Sequence, residues 1–187
     1  MKKHTLAEQQ AARILQDYNI TSYPVKLMHI AIKEKIELKY FPDSGDYDDL
    51  KLSGKIEKKK NGATTIWVNK FQSKGRQRFA LAHELGHFYF DMPKAGGELE
   101  DYRFYRSNET NPVEVRANQF ATCLLMPAKF IETAITDLEI NKYCMDAYRD
   151  VIELAKTFEV PLPVMWFRLI DLNYDLYITT PKKNIDL

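Results

Sequence analysis

The sequence predicts an α+β fold: a small, antiparallel-containing sheet packed against helices, followed by a helical C-terminal segment. The runs "IELKYF" (36–41) and "TTIWVN" (64–69) read as strands. The stretches around 76–90 and 113–126 read as helices, the first of them buried. From about residue 129 the chain again looks helical, with a break marked by Pro161 and Pro163.

A chain of 187 residues can build one substantial core and a small appended unit. We expect the main domain over 1–136 and the helical segment over 137–187, packed on the first. Hydrophobic content of 45% and charged content of 28% are ordinary for a soluble globular protein. The net charge of +1 lacks the global basic excess of a nucleic-acid binder. No apolar run reaches the length of a membrane span. Two lysines open the chain, but Glu8, Gln9 and Gln10 interrupt any signal-peptide core. Cys123 and Cys144 form no close pair, which suits a reducing cytoplasm with both thiols as small core fillers and no disulfide.

In chain order, Leu6, Ala7, Ala11, Ile14, Leu15 and Tyr18 give a first helix over 5–19. Pro24 suits the first turn of a second helix through "PVKLMHIAIKEK". The strand 36–41 stops at Pro42, ahead of an acidic loop. "KLSGKIEKKKNGATTIWVNK" reads as a hairpin, with Asn61-Gly62 the preferred pair for a two-residue type I′ turn. Lys58, Lys59 and Lys60 are then solvated charges near its tip. The helix around 76–90 ends before Asp91-Met92-Pro93. A polar connection over 92–112 follows, of a length that is usually functional or mobile inside a compact domain. The helix over 113–126 stops at Pro127.

The chemistry concentrates in "AHELGH". Residues four apart on a helix lie about 40° apart, so His83 and His87 can direct ring nitrogens at one ion. Glu84, beside the first ligand, can reach a water on that ion without ligating it, which is the logic of the zinc motif H-E-x-x-H. A hydrolytic zinc needs a third protein ligand and an open position. A third histidine six residues beyond the second is excluded, because that position is Pro93, and His4 and His29 lie far upstream. A carboxylate from the later helix is the natural choice. Glu114 begins that helix, and Asn118, Ala121 and Leu125 fall within about 40° of it by the helical count. Ala117 and Ala121 are small enough to let the helix approach Gly86 closely. Asn118 is placed to bond a ligand imidazole. Cys123 falls about 180° away and should not ligate. Glu98, Glu100 and Glu109 in the connecting loop remain alternative ligands.

"RQRFALAHELGH" followed by "EVRANQFATCLLMP" resembles the ImmA/IrrE family of metallopeptidases, which pair an H-E-x-x-H helix with a downstream E-x-x-A-[ND]-x-F-A-x-x-L-L-M-P helix. Here that second element is Glu114, Ala117, Asn118, Phe120, Ala121, Leu124, Leu125, Met126 and Pro127. The resemblance covers roughly residues 5 to 130. It implies a zincin-like fold, with His83, His87 and Glu114 as ligands of one zinc per chain (manganese being the alternative ion) and Glu84 as general base. It implies an endopeptidase whose substrate is a helix-turn-helix repressor of a mobile element, stress regulon or toxin-antitoxin-like operon. Thr64–Asn69 resembles the edge strand on which zinc peptidases lay an extended substrate. Tyr102, Arg103 and Tyr105 are candidates for a further oxyanion donor.

The segment 151–172 has a helix-turn-helix pattern, with Leu154 and Ala155 on a first helix, Val160 in the turn, and Met165, Trp166 and Leu169 on a second. It raises a rival reading, a DNA-binding regulator or toxin-type partner with a structural or vestigial metal site. Composition argues against DNA. Residues 141–175 hold four basic and six acidic side chains, whereas phosphate contact wants a positive face. The segment is expected to pack on the catalytic unit or to offer a docking surface.

Overall fold

Helix α1 (Leu6–Asp17) is capped by Thr5, whose hydroxyl accepts from the Glu8 N–H at 3.2 Å. Its buried stripe is Ala7, Ala11 and Ile14. The computed structural model describes residues 5–41, 52–59, 61–92, 102–103 and 111–177. Helix α2 (Leu27–Lys33) begins three residues beyond Pro24, which lies in the preceding turn after a cis peptide. The expected proline-led first turn is therefore corrected. Val25 is fully buried and its carbonyl accepts from Arg78 Nη2 at 2.9 Å, so that carbonyl is committed outside the helix.

Four strands, β1 (Ile36–Phe41), β2 (Gly54–Lys58), β3 (Thr64–Asn69) and β4 (Tyr102–Arg103), form a sheet in the order β1-β3-β2-β4. β1 and β3 are parallel from Ile36↔Thr64 to Phe41↔Asn69, while β2 is antiparallel to both β3 and β4. β3 is thus central, covered on both sides, and cannot be the edge strand its sequence suggested. Ile66 and Val68 are buried, as suits a central strand.

The β2–β3 hairpin forms, but its turn differs from expectation. A type I′ turn needs positive φ at both central residues. Only Gly62 has it, at +84°, whereas Asn61 does not. Lys59 N–H donates to Ala63 O at 2.9 Å and Gly62 N–H to Lys59 O at 2.8 Å, closing a loop one residue longer. Asn61 Oδ1 accepts from the Ala63 N–H at 3.1 Å, which holds the turn.

Helix α3 (Lys74–Phe90) starts at the N-cap Ser73 and lies across β2 and β3, burying Ala82 and Leu85 completely. Helix α4 (Pro112–Leu125) has Asn111 as N-cap, accepting from Val113 N–H at 3.0 Å, and Pro112 in its first turn. α4 packs between α1 and α3. At the α3–α4 contact a Cβ added to Gly86 would lie 3.0 Å from Ala117 Cα, so only glycine fits without a shift.

The rest of the chain comprises α5 (Ala128–Asp137), β5 (Met145–Asp146), α6 (Arg149–Thr157), α7 (Leu162–Asp171) and β6 (Leu176–Tyr177), with β5 and β6 paired in parallel. Two-residue strands leave no periodicity to read, and none was expected here. One hydrophobic cluster runs from Ala7 through Ile66, Leu85 and Phe120 to Leu154 and Leu169. Arg168, on the second helix of the helix-turn-helix pattern, is buried and donates from Nε to Met126 O at 3.0 Å. Both cysteines are free; Cys123 is buried, but Cys144 is exposed and is not the core filler expected. Among the described residues no helix is long and apolar enough to cross a membrane.

Gly86→Val would force the α3–α4 contact apart. Overpacking of this kind costs about 1–3 kcal/mol, and each kcal/mol lowers Tm by roughly 2–4 °C in a chain of this size. A melting curve matching wild type would mean that this contact is not limiting.

Candidate metal centre

His83 and His87 lie one turn apart on α3, and their Nε2 atoms stand 3.0 Å from each other. Glu114 enters from the first turn of α4, where the helix dipole favours an acid. Its two oxygens lie 3.2 Å from His83 Nε2 and 3.5 Å from His87 Nε2. These three side chains could hold a metal ion. Bonds of about 2.0–2.2 Å to a tetrahedral zinc put neighbouring ligand atoms about 3.3–3.5 Å apart. The observed separations are close to that, so little adjustment is needed to receive the ion.

The opposite nitrogens are committed. His83 Nδ1–H donates to Asn118 Oδ1 at 2.8 Å, and His87 Nδ1–H to Asp91 Oδ2 at 2.9 Å. Each bond assigns the proton to Nδ1 and turns the Nε2 lone pair toward the rest of the cluster. Asp91 is itself paired with Arg116, whose guanidinium lies 5.1 Å from the centre of the Phe90 ring. Asn118 was legible from its place one turn after Glu114. Asp91 and Arg116 were missed, although Asp91 follows His87 by the four residues that place it on the same helix face.

Glu84 is buried beside the pair, 5% exposed. A Cβ at Gly54 of β2 would come within 3.1 Å of Glu84 Oε1, so the strand backbone passes close to the carboxylate and a larger residue there would push on it. Two buried carboxylates, Glu84 and Glu114, therefore adjoin two imidazoles. Charges buried this way need compensation. Burial opposes a charged His83, but Glu114, Glu84 and Asn118 together outweigh it and raise its pKa. For His87, burial and the neighbouring His83 charge prevail over Asp91, and its pKa is lowered. The cluster thus favours one positive charge between the rings, which a proton on His83 or a metal cation can supply.

The family model for the IrrE N-terminal-like domain, Peptidase_M78, matches residues 34–169. The chain belongs to that family. Among solved structures it is similar to a Mycobacterium tuberculosis transcriptional regulator, with a TM-score of 0.55 at 16% identity. The match covers 87% of this chain and 45% of that one, so this chain spans less than half the length of its structural neighbour. At that identity the likeness concerns the fold. No curated protein matches the chain.

The structure brings His83, Glu84, His87 and Glu114 of this IrrE-like domain together. Glu98, Glu100, Glu109 and Tyr105 lie outside the described residues, and of Tyr102 and Arg103 only the β4 backbone is described. Cys123 faces away from the cluster and lies near Arg168, on the opposite side of α4 as the helical count requires.

Asn118→Ala should weaken metal binding about 10–100-fold, as loss of a partner behind a ligand typically does; chelator competition measures it. Metal uptake should also fall with acidification. Because the His83 pKa is raised, proton competition should begin above the ordinary imidazole range of about 6.5. Metal retained unchanged well below that range would contradict the proton competition expected at His83.

Proposed function

We infer that this chain is a zinc-dependent endopeptidase, with His83, His87 and Glu114 as metal ligands and Glu84 as general base. One observation carries the reading: two Nε2 atoms and a carboxylate converge at metal-ligand spacing, with a second buried carboxylate alongside. Peptidase family membership supports the reaction class.

A bound zinc supplies Lewis acidity toward the scissile carbonyl and lowers the pKa of a coordinated water toward neutrality. The chain's own residues do the rest. Glu84 takes the proton from the attacking water and delivers it to the leaving amine. Its position one residue after His83 keeps it next to the reacting atoms but off the metal. Asn118 and Asp91 hold the imidazoles in one tautomer, so no reorientation is needed when substrate arrives. His83 and Glu84 line a cavity between α3 and α7, so substrate approaches from that side.

The substrate is a specific protein partner, a helix-turn-helix repressor. Family membership and the fold shared with a transcriptional regulator support a regulator-type target. Arg168 favours packing over DNA contact for the C-terminal segment, because its guanidinium is buried against Met126 O rather than presented outward.

The test is co-expression with the repressor-like product of an adjacent gene, alongside metal analysis. Wild type should hold one zinc and cleave. Glu114→Ala should lose most of the metal, whereas Cys123→Ser should keep it. Glu84→Gln should keep zinc and fold but lose about 10²–10⁴-fold in rate, since the amide cannot accept the proton. Near-wild-type cleavage by Glu84→Gln would remove Glu84 from the mechanism.

A further inference from the structure

Gly75, in the first turn of α3, marks a close approach. A Cβ there would lie 3.0 Å from the Val160 carbonyl carbon and 3.2 Å from Pro161 N. The turn between α6 and α7 therefore sits directly on the start of α3. Arg78 ties the same turn one residue earlier, its Nε 3.3 Å from the Glu159 carboxylate while Nη2 reaches Val25 O. This packing creates a cavity of about 300 Å³ with walls from both parts of the chain. Phe79, His83 and Glu84 come from α3, and Pro161, Pro163 and Val164 come from the turn and α7.

We propose that this cavity is the subsite for a large apolar side chain of the substrate residue adjoining the scissile bond, and that the helix-turn-helix-like segment serves as its specificity wall. The inference rests on the peptidase reading above. Because His83 and Glu84 line the cavity, a side chain lodged in it belongs to a residue next to the reacting carbonyl. Two walls offer little to a polar side chain. Pro161 and Pro163 have no backbone N–H to donate, and Phe79 and Val164 are apolar. On the opposite side Gln72 Nε2 donates to Ser53 Oγ at 2.9 Å while Gln72 Oε1 finds no partner, so the cavity is polar there and apolar along the Phe79–Val164 wall. Arg76 stands exposed at the margin, in water. An apolar group laid against the Phe79–Val164 wall gains from leaving water, whereas a polar one on that wall loses its hydration for few partners. The Gly75 contact presses the wall of the subsite against the same helix that carries His83.

The probes are peptide-like hydroxamates, which chelate the metal and carry one variable side chain: hydrogen, isobutyl, benzyl, naphthylmethyl or carboxymethyl. Their affinities for the zinc-loaded full chain are measured by calorimetry. Isobutyl and benzyl should bind at least about 10-fold tighter than hydrogen and carboxymethyl, the scale that filling or leaving empty a hydrophobic pocket sets. Val164→Trp should reduce the benzyl-to-hydrogen ratio toward one. Val164→Ala, a milder change at a half-buried position, should shift the optimum to a larger naphthylmethyl group. Equal binding of all side chains, or a ranking unmoved by both variants, overturns the subsite while leaving the metal site standing. If even the hydrogen probe fails to bind, or binds Glu114→Ala equally well, the metal reading falls and takes this inference with it.

Discussion

The contact between Gly86 and Ala117 governs the centre of this protein. Helix axes normally pack 8–10 Å apart, set by the side chains at the contact. A glycine facing an alanine, with no room for an added Cβ, sets α3 and α4 close together. That closeness lets a short carboxylate on one helix meet two imidazoles on the other. Metal bonds tolerate a few tenths of an ångström. A bulkier residue at 86 would displace Glu114 and Asn118 together, because both ride on the same face of α4. The His83–His87–Glu114 triangle and its outer hydrogen bond are thus consequences of one packing choice. Asn111 and Pro112 complete it by fixing where α4 begins, and so the turn on which Glu114 stands.

Electrostatics explains why so much acid is gathered around two histidines. Glu84 and Glu114 are both buried, and Asp91 lies behind His87. Arg116 offsets Asp91, which leaves the two glutamates to be balanced at the centre. Desolvated carboxylates without a cation would be costly. The opposing pKa shifts of the two imidazoles fit this balance, His83 being driven toward its charged form and His87 away from it. A divalent ion bound by the Nε2 atoms would meet the same demand while keeping both Nδ1 protons on their oxygen acceptors. The polar groups therefore act as a unit, and removal of any one is felt across the cluster.

Much of this centre could be read from the sequence because it is built on helical periodicity. The spacing of His83 and His87, the face shared by Glu114 and Asn118, and the small residues opposite Gly86 all follow from 100° per residue. What escaped is non-local or depends on competing local bonds. The parallel β1–β3 pairing joins segments separated by the whole β2 hairpin, and no local signal tells a central strand from an edge strand of the same composition. Asn61-Gly62 announced a hairpin correctly, yet the Asn61 side chain bonded the Ala63 N–H, and the loop closed one residue wider. Pro24 is compatible with a helix start, but the Val25 carbonyl is held by Arg78, fifty-three positions on. Asp91 had the right spacing from His87, but without Arg116 behind it nothing distinguished it from an ordinary residue at a helix end.

The C-terminal helix pair shows how a familiar pattern can be put to different use. A DNA reader presents cations from its second helix to phosphates and bases. Here that helix has one cation, Arg168, which is turned inward to hold the carbonyl of Met126 at the end of the helix carrying Glu114. The turn before it, where a DNA reader needs only a compact corner, contains Pro161 and a backbone pressed against Gly75 of the helix that carries both histidines. Both contacts run toward the candidate metal centre. A hydrogen bond to a buried charged group is worth about 1.5–3 kcal/mol, enough to make the segment part of the centre's support. The second helix also turns the apolar Phe167 and Ile170 outward, and the segment as a whole carries more acidic than basic side chains. The sequence pattern of a helix-turn-helix thus reflects how two short helices pack against each other, and the placement of Arg168 and Gly75 decides which neighbour they serve.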